Sequence, residues 1–343
     1  MKKRYQELDA LRGLAALLVV FFHYTMEKEE ASLGFDLGTT GVDLFFIISG
    51  FVILLSLEHV KSAREFIANR ISRLYPTYWA CVSFTFSCML LYAWYIHDFS
   101  GISMVQYVAN MTMFQYYFKI RNIDGPYWTM IIEMVFYMFM VALYYFKVLR
   151  KLDVICVVLI SFTVSVVHLD FENIWVQRFF FKLPFVQFLP LFFAGTVFYR
   201  KITKGLKHIK FFGLILFCLV AQILLFEYSG RSNSFITVWE YAGMLTIYFT
   251  LFLIFIYNKL RFIVNSATLF MGKISYALYL IHQKISIEYI IPKLTHTYKV
   301  GFWSSSLIAL SIVIIIATMI TYLVEIPYSS KLRKKLYAVM KVH

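Results

Sequence analysis

Arg12 and His23 stand eleven residues apart in a stretch, 8–25, that otherwise reads as a membrane span. At about 100° per residue that spacing returns to nearly the same helix face. It separates the two groups by roughly 16 Å along the axis. One helix then holds a permanent cation near one membrane surface and an imidazole well towards the other. A carrier with an anionic head and a reactive tip on a long arm fits that spacing. So does a plainer arrangement, in which Arg12 snorkels to the interface and His23 is a hydrogen-bonded core histidine. Ionisable groups inside a span are costly, which marks them as functional candidates.

Further candidates follow along the chain. Asp43 opens the second apolar run, near the end of the first where His23 lies. A carboxylate there either orients the imidazole and fixes its tautomer or caps the helix start. Arg70 and Arg73 share a face of the segment 64–76, which reads as a short amphipathic helix ended by Pro76. Two guanidinium forks at that spacing suit phosphate oxygens, and equally an anchor to lipid headgroups. Glu133 lies about 10 Å along the span that begins at Pro126 and Trp128. A carboxylate at that depth needs a partner, with Arg12 or a polar cavity shared with His23 available. Glu325 at the close of the last span pairs naturally with Arg70, Arg73 or Arg12. Ser275, Tyr276, Tyr279 and His282 recur at helical spacing as a stripe facing the bundle interior, with His282 read as a satisfied core histidine.

The elements that must position these groups are membrane helices. Of 343 residues 61% are hydrophobic and 15% charged, with a mean hydropathy of +0.71. That composition excludes a water-soluble domain of this length. Apolar runs at 8–25, 41–57, 75–96, 126–146, 154–169, 184–200, 211–228, 235–257, 272–291 and 305–324 predict about ten transmembrane helices in one bundle. The aromatic stretch 103–118 is placed as an interfacial or re-entrant segment. Lysines and arginines concentrate in the termini and in alternate loops, which by the positive-inside bias puts both termini in the cytoplasm. The net charge of +14 follows those loops and does not argue for nucleic acid. The basic start resembles a secretory signal, but Asp9 and Arg12 interrupt the apolar run and no small-x-small site follows, so an uncleaved first span is expected. Cys81, Cys88, Cys156 and Cys218 all fall in apolar runs, and neither a disulfide nor a metal site is inferred from them. The whole chain, 1–343, reads as a single all-α integral membrane domain.

The ordered set of motifs resembles the membrane acyltransferase family 3. It consists of Arg12…His23, Gly41-Val42-Asp43-Leu44-Phe45-Phe46…Ser49-Gly50-Phe51, Arg70…Arg73 before Tyr75-Pro76, Trp128-Thr129-Met130-Ile131-Ile132-Glu133-Met134-Val135-Phe136-Tyr137, Gly272 to His282, and Glu325-Ile326-Pro327. The resemblance covers nearly the whole chain. Trp128-Thr129-Met130 replaces the Trp-Ser-Leu usual in that family, and no stretch of residues 1–343 reads as the hydrolase-like extracellular domain some members carry, so a stand-alone form is expected. The family implies an enzyme of the bacterial inner membrane, multi-pass. It passes an acyl group, commonly acetyl, from cytoplasmic acyl-coenzyme A to a hydroxyl of a surface or lipid-linked glycan. By resemblance His23 is catalytic, Arg12 is essential, and Arg70 with Arg73 binds the donor. Arg12 is placed with the donor-binding arginines, Asp43 or Glu133 would support the imidazolium, and Trp128, Tyr276, His282 and Glu325 would be structural or supporting.

The physical and family expectations meet on length. The donor is a polyanionic head on an arm ending in a thioester, and the arm must reach on the order of 15 Å into the bundle. His23 would then act as general base on the acceptor hydroxyl, with acetyl-CoA or another acyl-CoA as donor substrate and no metal. An oxyanion donor is required, and the sequence does not name it. Two rival functions use the same residues. A proton-coupled secondary transporter or glycan exporter would employ the buried His, Asp and Glu, although no pair of repeated, broken spans is visible. A non-catalytic assembly component would use them for helix packing alone.

Overall fold

The computed structural model describes residues 5–26, 28–228 and 231–342, and those residues form helices and turns without strands. The helices are α1 (Gln6–Thr25), α2 (Gly41–Leu57), α3 (Ala63–Ile96), α4 (Met104–Met111), α5 (Trp128–Tyr145), α6 (Leu152–Asp170) and α7 (Ile174–Lys182). They continue with α8 (Leu189–Lys204), α9 (His208–Leu224), α10 (Val238–Ile256), α11 (Ser266–Lys284), α12 (Phe302–Ile320) and α13 (Ile326–Val339). All ten expected apolar runs are helical. Among the described residues seven stretches are long and apolar enough to cross a membrane, eight if α7 and α8 form one span bent by 84°. The shortfall from ten has local causes. Helix α9 has 17 residues, and the polar stripe of α11 lowers its apolarity.

Large apolar side chains lie exposed in stripes: Val154, Val158 and Phe162 on α6, and Phe212, Leu216, Val220 and Leu224 on α9. A four-residue repeat is one helix face. In water such stripes would cost free energy in proportion to their area, whereas lipid covers them without penalty. Helices α1, α2 and α5 are the most buried of the long apolar set, and α6 and α12 the least. The bundle is therefore a shell of lipid-facing helices around a core of α1, α2, α5, α8 and α11.

Two glycine contacts set that core. A Cβ on Gly272 of α11 would overlap the Asp9 carbonyl of α1, and one on Gly13 would crowd Gly272. Gly50 of α2 and Gly195 of α8 approach each other's helix backbones in the same way. Small residues let backbones close up where lipid supplies no hydrophobic drive between helices. Gly13 with Gly272, and His23 with His282, are both 259 residues apart, so α1 and α11 run parallel and in register. Ten residues, roughly 15 Å, carry the contact from the glycines to the histidines.

The basic loops collect at one end. Asp153 takes Lys210 at 2.6 Å and also pairs with Arg200. Lys204 pairs with Glu58, which Tyr199 also reaches at 2.8 Å. Tyr337 donates to Asn69 at 3.0 Å and ties the C-terminal helix to the start of α3. His23 lies towards the opposite end.

One expected boundary is absent. Pro76 does not end a helix: it lies inside α3, which is 34 residues long. A proline forfeits its own N–H bond at a cost of about 3 kcal/mol. Here Leu74, Tyr78, Cys81 and Val82, all buried, hold both halves in place. Arg70 and Arg73 are thus fixed on the same rigid rod as the following span. The stretch 103–118 forms α4 and a turn-rich segment beside α3, with Tyr107 and Ser83 hydroxyls 2.9 Å apart.

Candidate active site

His23 Nδ1 lies 2.8 Å from His282 Nε2. The other nitrogen of His282, Nδ1, is 2.9 Å from the Tyr279 carbonyl. A carbonyl only accepts, so His282 Nδ1 carries the hydrogen. In the neutral ring Nε2 is then the acceptor, and His23 Nδ1–H donates to it. The basic nitrogen of His23 is consequently Nε2. At the next residue of α1, and one turn past His282, the Tyr24 and Ser286 hydroxyls meet at 2.7 Å and clamp α1 to the segment just beyond α11. Beyond Lys284 the helix winds into π turns over Ile285–Ile290, a distortion common beside functional sites.

His282, expected as a satisfied core residue, is therefore the group that orients His23. Asp43 is not at that nitrogen. It lines the same cavity as His23, but its Oδ1 accepts from Tyr241 at 3.1 Å. Of the two settings expected for Glu133, the structure shows the one beside Arg12 and not the one shared with His23. Glu133 accepts from Ser49 Oγ at 2.7 Å and from the Tyr137 hydroxyl, in a cavity lined by arginines rather than by His23. The helix sense explains this, because Glu133 lies one and a half turns beyond Trp128 towards the basic end.

Four cavities follow one another through the bundle. At the basic end a mouth of about 490 Å³ is lined by Asn69, Arg70, Arg73, Glu325 and Arg333. It shares Arg70, Arg73 and Glu325 with a waist of about 230 Å³ that also contains Arg12, Glu133 and Lys273. The waist meets a chamber of about 410 Å³ around His23 at Val42 and Tyr279, which line both. That chamber in turn shares Trp128 and Phe188 with a fourth cavity of about 660 Å³.

The mouth and waist hold Arg12, Arg70, Arg73, Lys273 and Arg333 against Asp9, Glu133 and Glu325. None of these five cations closes an ion pair with a carboxylate among the described residues. Arg70 packs over the rings of Phe66 and Tyr137, 5.3 and 5.9 Å from their centroids, and its Nε is buried without a partner. A buried guanidinium nitrogen left without an acceptor is expensive, and an oxygen of a polyanion would satisfy it. Glu325, brought in by a π turn at Thr321–Glu325, tempers the cluster without neutralising it. Tyr276 donates to the Leu74 carbonyl at 3.3 Å and braces α11 on α3.

The Tyr279 and Thr129 hydroxyls, 3.0 Å apart, stand at the join of waist and His23 chamber. Neither was singled out by sequence beyond the stripe on α11. Tyr137 had one available signal, its position four residues after Glu133 on the same helix face.

A family profile described as an acyltransferase domain matches residues 5–325, and the chain belongs to that family. Among curated proteins it is similar to an acetyltransferase of Acidianus two-tailed virus, 25% identical over 296 residues, 82% of this chain and 84% of that one. It is also similar to an O-acetyl transferase of Shigella phage Sf6, 27% identical over 210 residues, 55% of this chain and 61% of the phage protein. A membrane-bound transacylase of Komagataeibacter xylinus is 30% identical over 150 residues, 40% of this chain and 36% of that protein. No solved structure matches. The chain is accordingly an acyltransferase with multiple membrane-like helices.

Proposed function

We propose that the protein moves an acetyl group from acetyl-CoA, entering at the basic cytoplasmic end, to a hydroxyl of a surface or lipid-linked glycan in a bacterial inner membrane. The carrying observation is the succession of cavities from the arginine cluster to a chamber lined by an imidazole already oriented by a second one. The names of the phage and viral relatives support acetyl as the acyl group.

In this mechanism Arg70, Arg73 and Arg333 hold the donor phosphates, with Arg12 receiving the arm as it enters the waist. The arm passes Val42 and Tyr279 and delivers the thioester beside His23. His23 Nε2 takes the proton of the acceptor hydroxyl while its oxygen attacks the thioester carbonyl. The tetrahedral oxyanion accepts a hydrogen bond from Tyr279 Oη, which turns from Thr129, while Thr129 Oγ1 spends its own hydrogen on the Pro126 carbonyl. Collapse breaks the carbon–sulfur bond, and the thiolate takes the proton from His23. The products are an ester and free coenzyme A thiol. His282 stabilises the imidazolium by accepting from His23 Nδ1.

Mass spectrometry of surface glycans from cells with and without the chain tests the assignment. His23→Ala should abolish the acetyl increment while the protein still inserts, and normal acetylation by that variant would overturn the proposal. Arg70→Ala with Arg73→Ala should raise the donor KM by about tenfold or more, because each charge-assisted bond contributes about 1.5–3 kcal/mol, with a smaller effect on kcat.

A further inference from the structure

The fourth cavity lies beyond the reach of the donor arginines and has a different chemistry. Its walls come from the segment between α4 and α5, the start of α5 and the bend between α7 and α8. Trp128 and Phe188, with ring centroids 5.8 Å apart, separate it from the His23 chamber and belong to both. Tyr116 and Phe181, at 4.9 Å, present further ring faces. Such faces bind the C–H side of a sugar ring, while placed polar groups select its hydroxyls. Gln187 spends its amide nitrogen on the Tyr228 carbonyl at 2.8 Å, and its amide oxygen is the part suited to a hydroxyl.

The charge is one-sided. Among the described residues Lys119 and Arg121 line this cavity and no carboxylate does. Both lie away from the basic loops, where positive-inside bias does not account for them. The backbone that carries them is built rather than loose. Lys119 adopts φ 55°, a conformation uncommon outside glycine. Asn110 Nδ2 donates to the Arg121 carbonyl at 3.0 Å, and Gln115 Nε2 to Asn122 Oδ1 at 2.9 Å.

A second observation lies between the two chambers. Gln283 follows His282 and lines the His23 chamber, packed so closely on Gly125 of the fourth cavity that a Cβ there would overlap its amide. Its Oε1 is buried and lacks a hydrogen-bond donor among the described residues. A buried acceptor left in that state costs about 1–3 kcal/mol, and a substrate hydroxyl reaching towards His23 would satisfy it.

We infer that the cavity beside Trp128 is the acceptor subsite, and that it takes a saccharide bearing an anionic group, an assignment that rests on the acyl-transfer reading above. The anion sits against Lys119 and Arg121, the ring stacks at Trp128, and the hydroxyl to be acylated passes Gln283 to His23 Nε2. The anionic group is either a sugar carboxylate or the diphosphate of a lipid-linked carrier.

The test reconstitutes the full chain in vesicles with labelled acetyl-CoA and surface glycan extracted from cells lacking the chain. Lys119→Glu with Arg121→Glu should raise the acceptor KM by about tenfold or more, leaving calorimetric binding of coenzyme A within about twofold. Lys119→Arg with Arg121→Lys should stay within about threefold of the parent. Carboxyl-reduced glycan reacts poorly if the anion is a sugar carboxylate, and acid-released glycan reacts poorly if it is the diphosphate. Full activity on both forms overturns the anionic class, and an unchanged acceptor KM in the charge-reversed protein overturns the subsite. Coenzyme A binding with no transfer by the parent protein would instead defeat the acyl-transfer reading itself.

Discussion

Replacing His282 by Leu removes the acceptor of the 2.8 Å bond from His23 Nδ1 while keeping an apolar side chain in a fully buried position. A neutral hydrogen bond contributes about 0.5–1.5 kcal/mol and one to a charged group about 1.5–3 kcal/mol. The difference, about 1–1.5 kcal/mol, is the part that strengthens as His23 becomes an imidazolium, and only that part speeds the chemical step. At about 1.4 kcal/mol per decade it is about five- to twelvefold in kcat. A ring released from its tautomer loses about a further factor of two if both forms are equally populated. His282→Leu should therefore lower kcat about ten- to twentyfivefold with donor KM nearly unchanged. His282→Gln, whose amide oxygen can accept from Nδ1–H, should recover most of that loss. The assay is initial-rate release of coenzyme A thiol by reconstituted protein at saturating donor, with detergent-solubilised melting curves to verify folding. A folded His282→Leu protein with parental kcat would refute the proposed role of the second imidazole.

Gly272→Ala places a methyl against the Asp9 carbonyl, a backbone atom that cannot rotate away. It should cost about 1–3 kcal/mol by overpacking and part the two histidines, read as a lower melting temperature together with reduced turnover. Asp124, in the loop before α5, accepts from the Lys284 backbone N–H at 3.1 Å, but burial pushes its carboxyl up to about 7 against a usual 3.8. The folded protein thus holds this proton between those values while the unfolded chain releases it. Its contribution to stability is full below about pH 3.8 and is lost as pH rises through about 7. Melting temperature should fall between pH 5 and pH 8 (roughly the upper part of that window), and Asp124→Asn should flatten the fall. An Asp124→Asn profile parallel to the parent's would show that the slope arises elsewhere.

The sequence by itself determined what depends on near neighbours. Every expected apolar run is a helix, because unbroken apolar residues have no other way to satisfy their backbone in lipid. The alternation of basic loops collected at one end, and Arg70 and Arg73 share a cavity because three residues are nearly one turn. Pro76 misled, since the packing of its buried neighbours outweighed a single missing bond. Only the tertiary structure decided that His282 is the partner of His23. That choice follows from glycines on α1 and α11 admitting a parallel approach, and periodicity along one helix carries no information about which helix lies beside it. The same close packing put Asp43 on Tyr241, sent Glu133 to the arginine cavity, and opened the chamber beyond Trp128. Each of these is a contact between segments far apart in the chain, fixed by the fit of helix surfaces that no local pattern specifies.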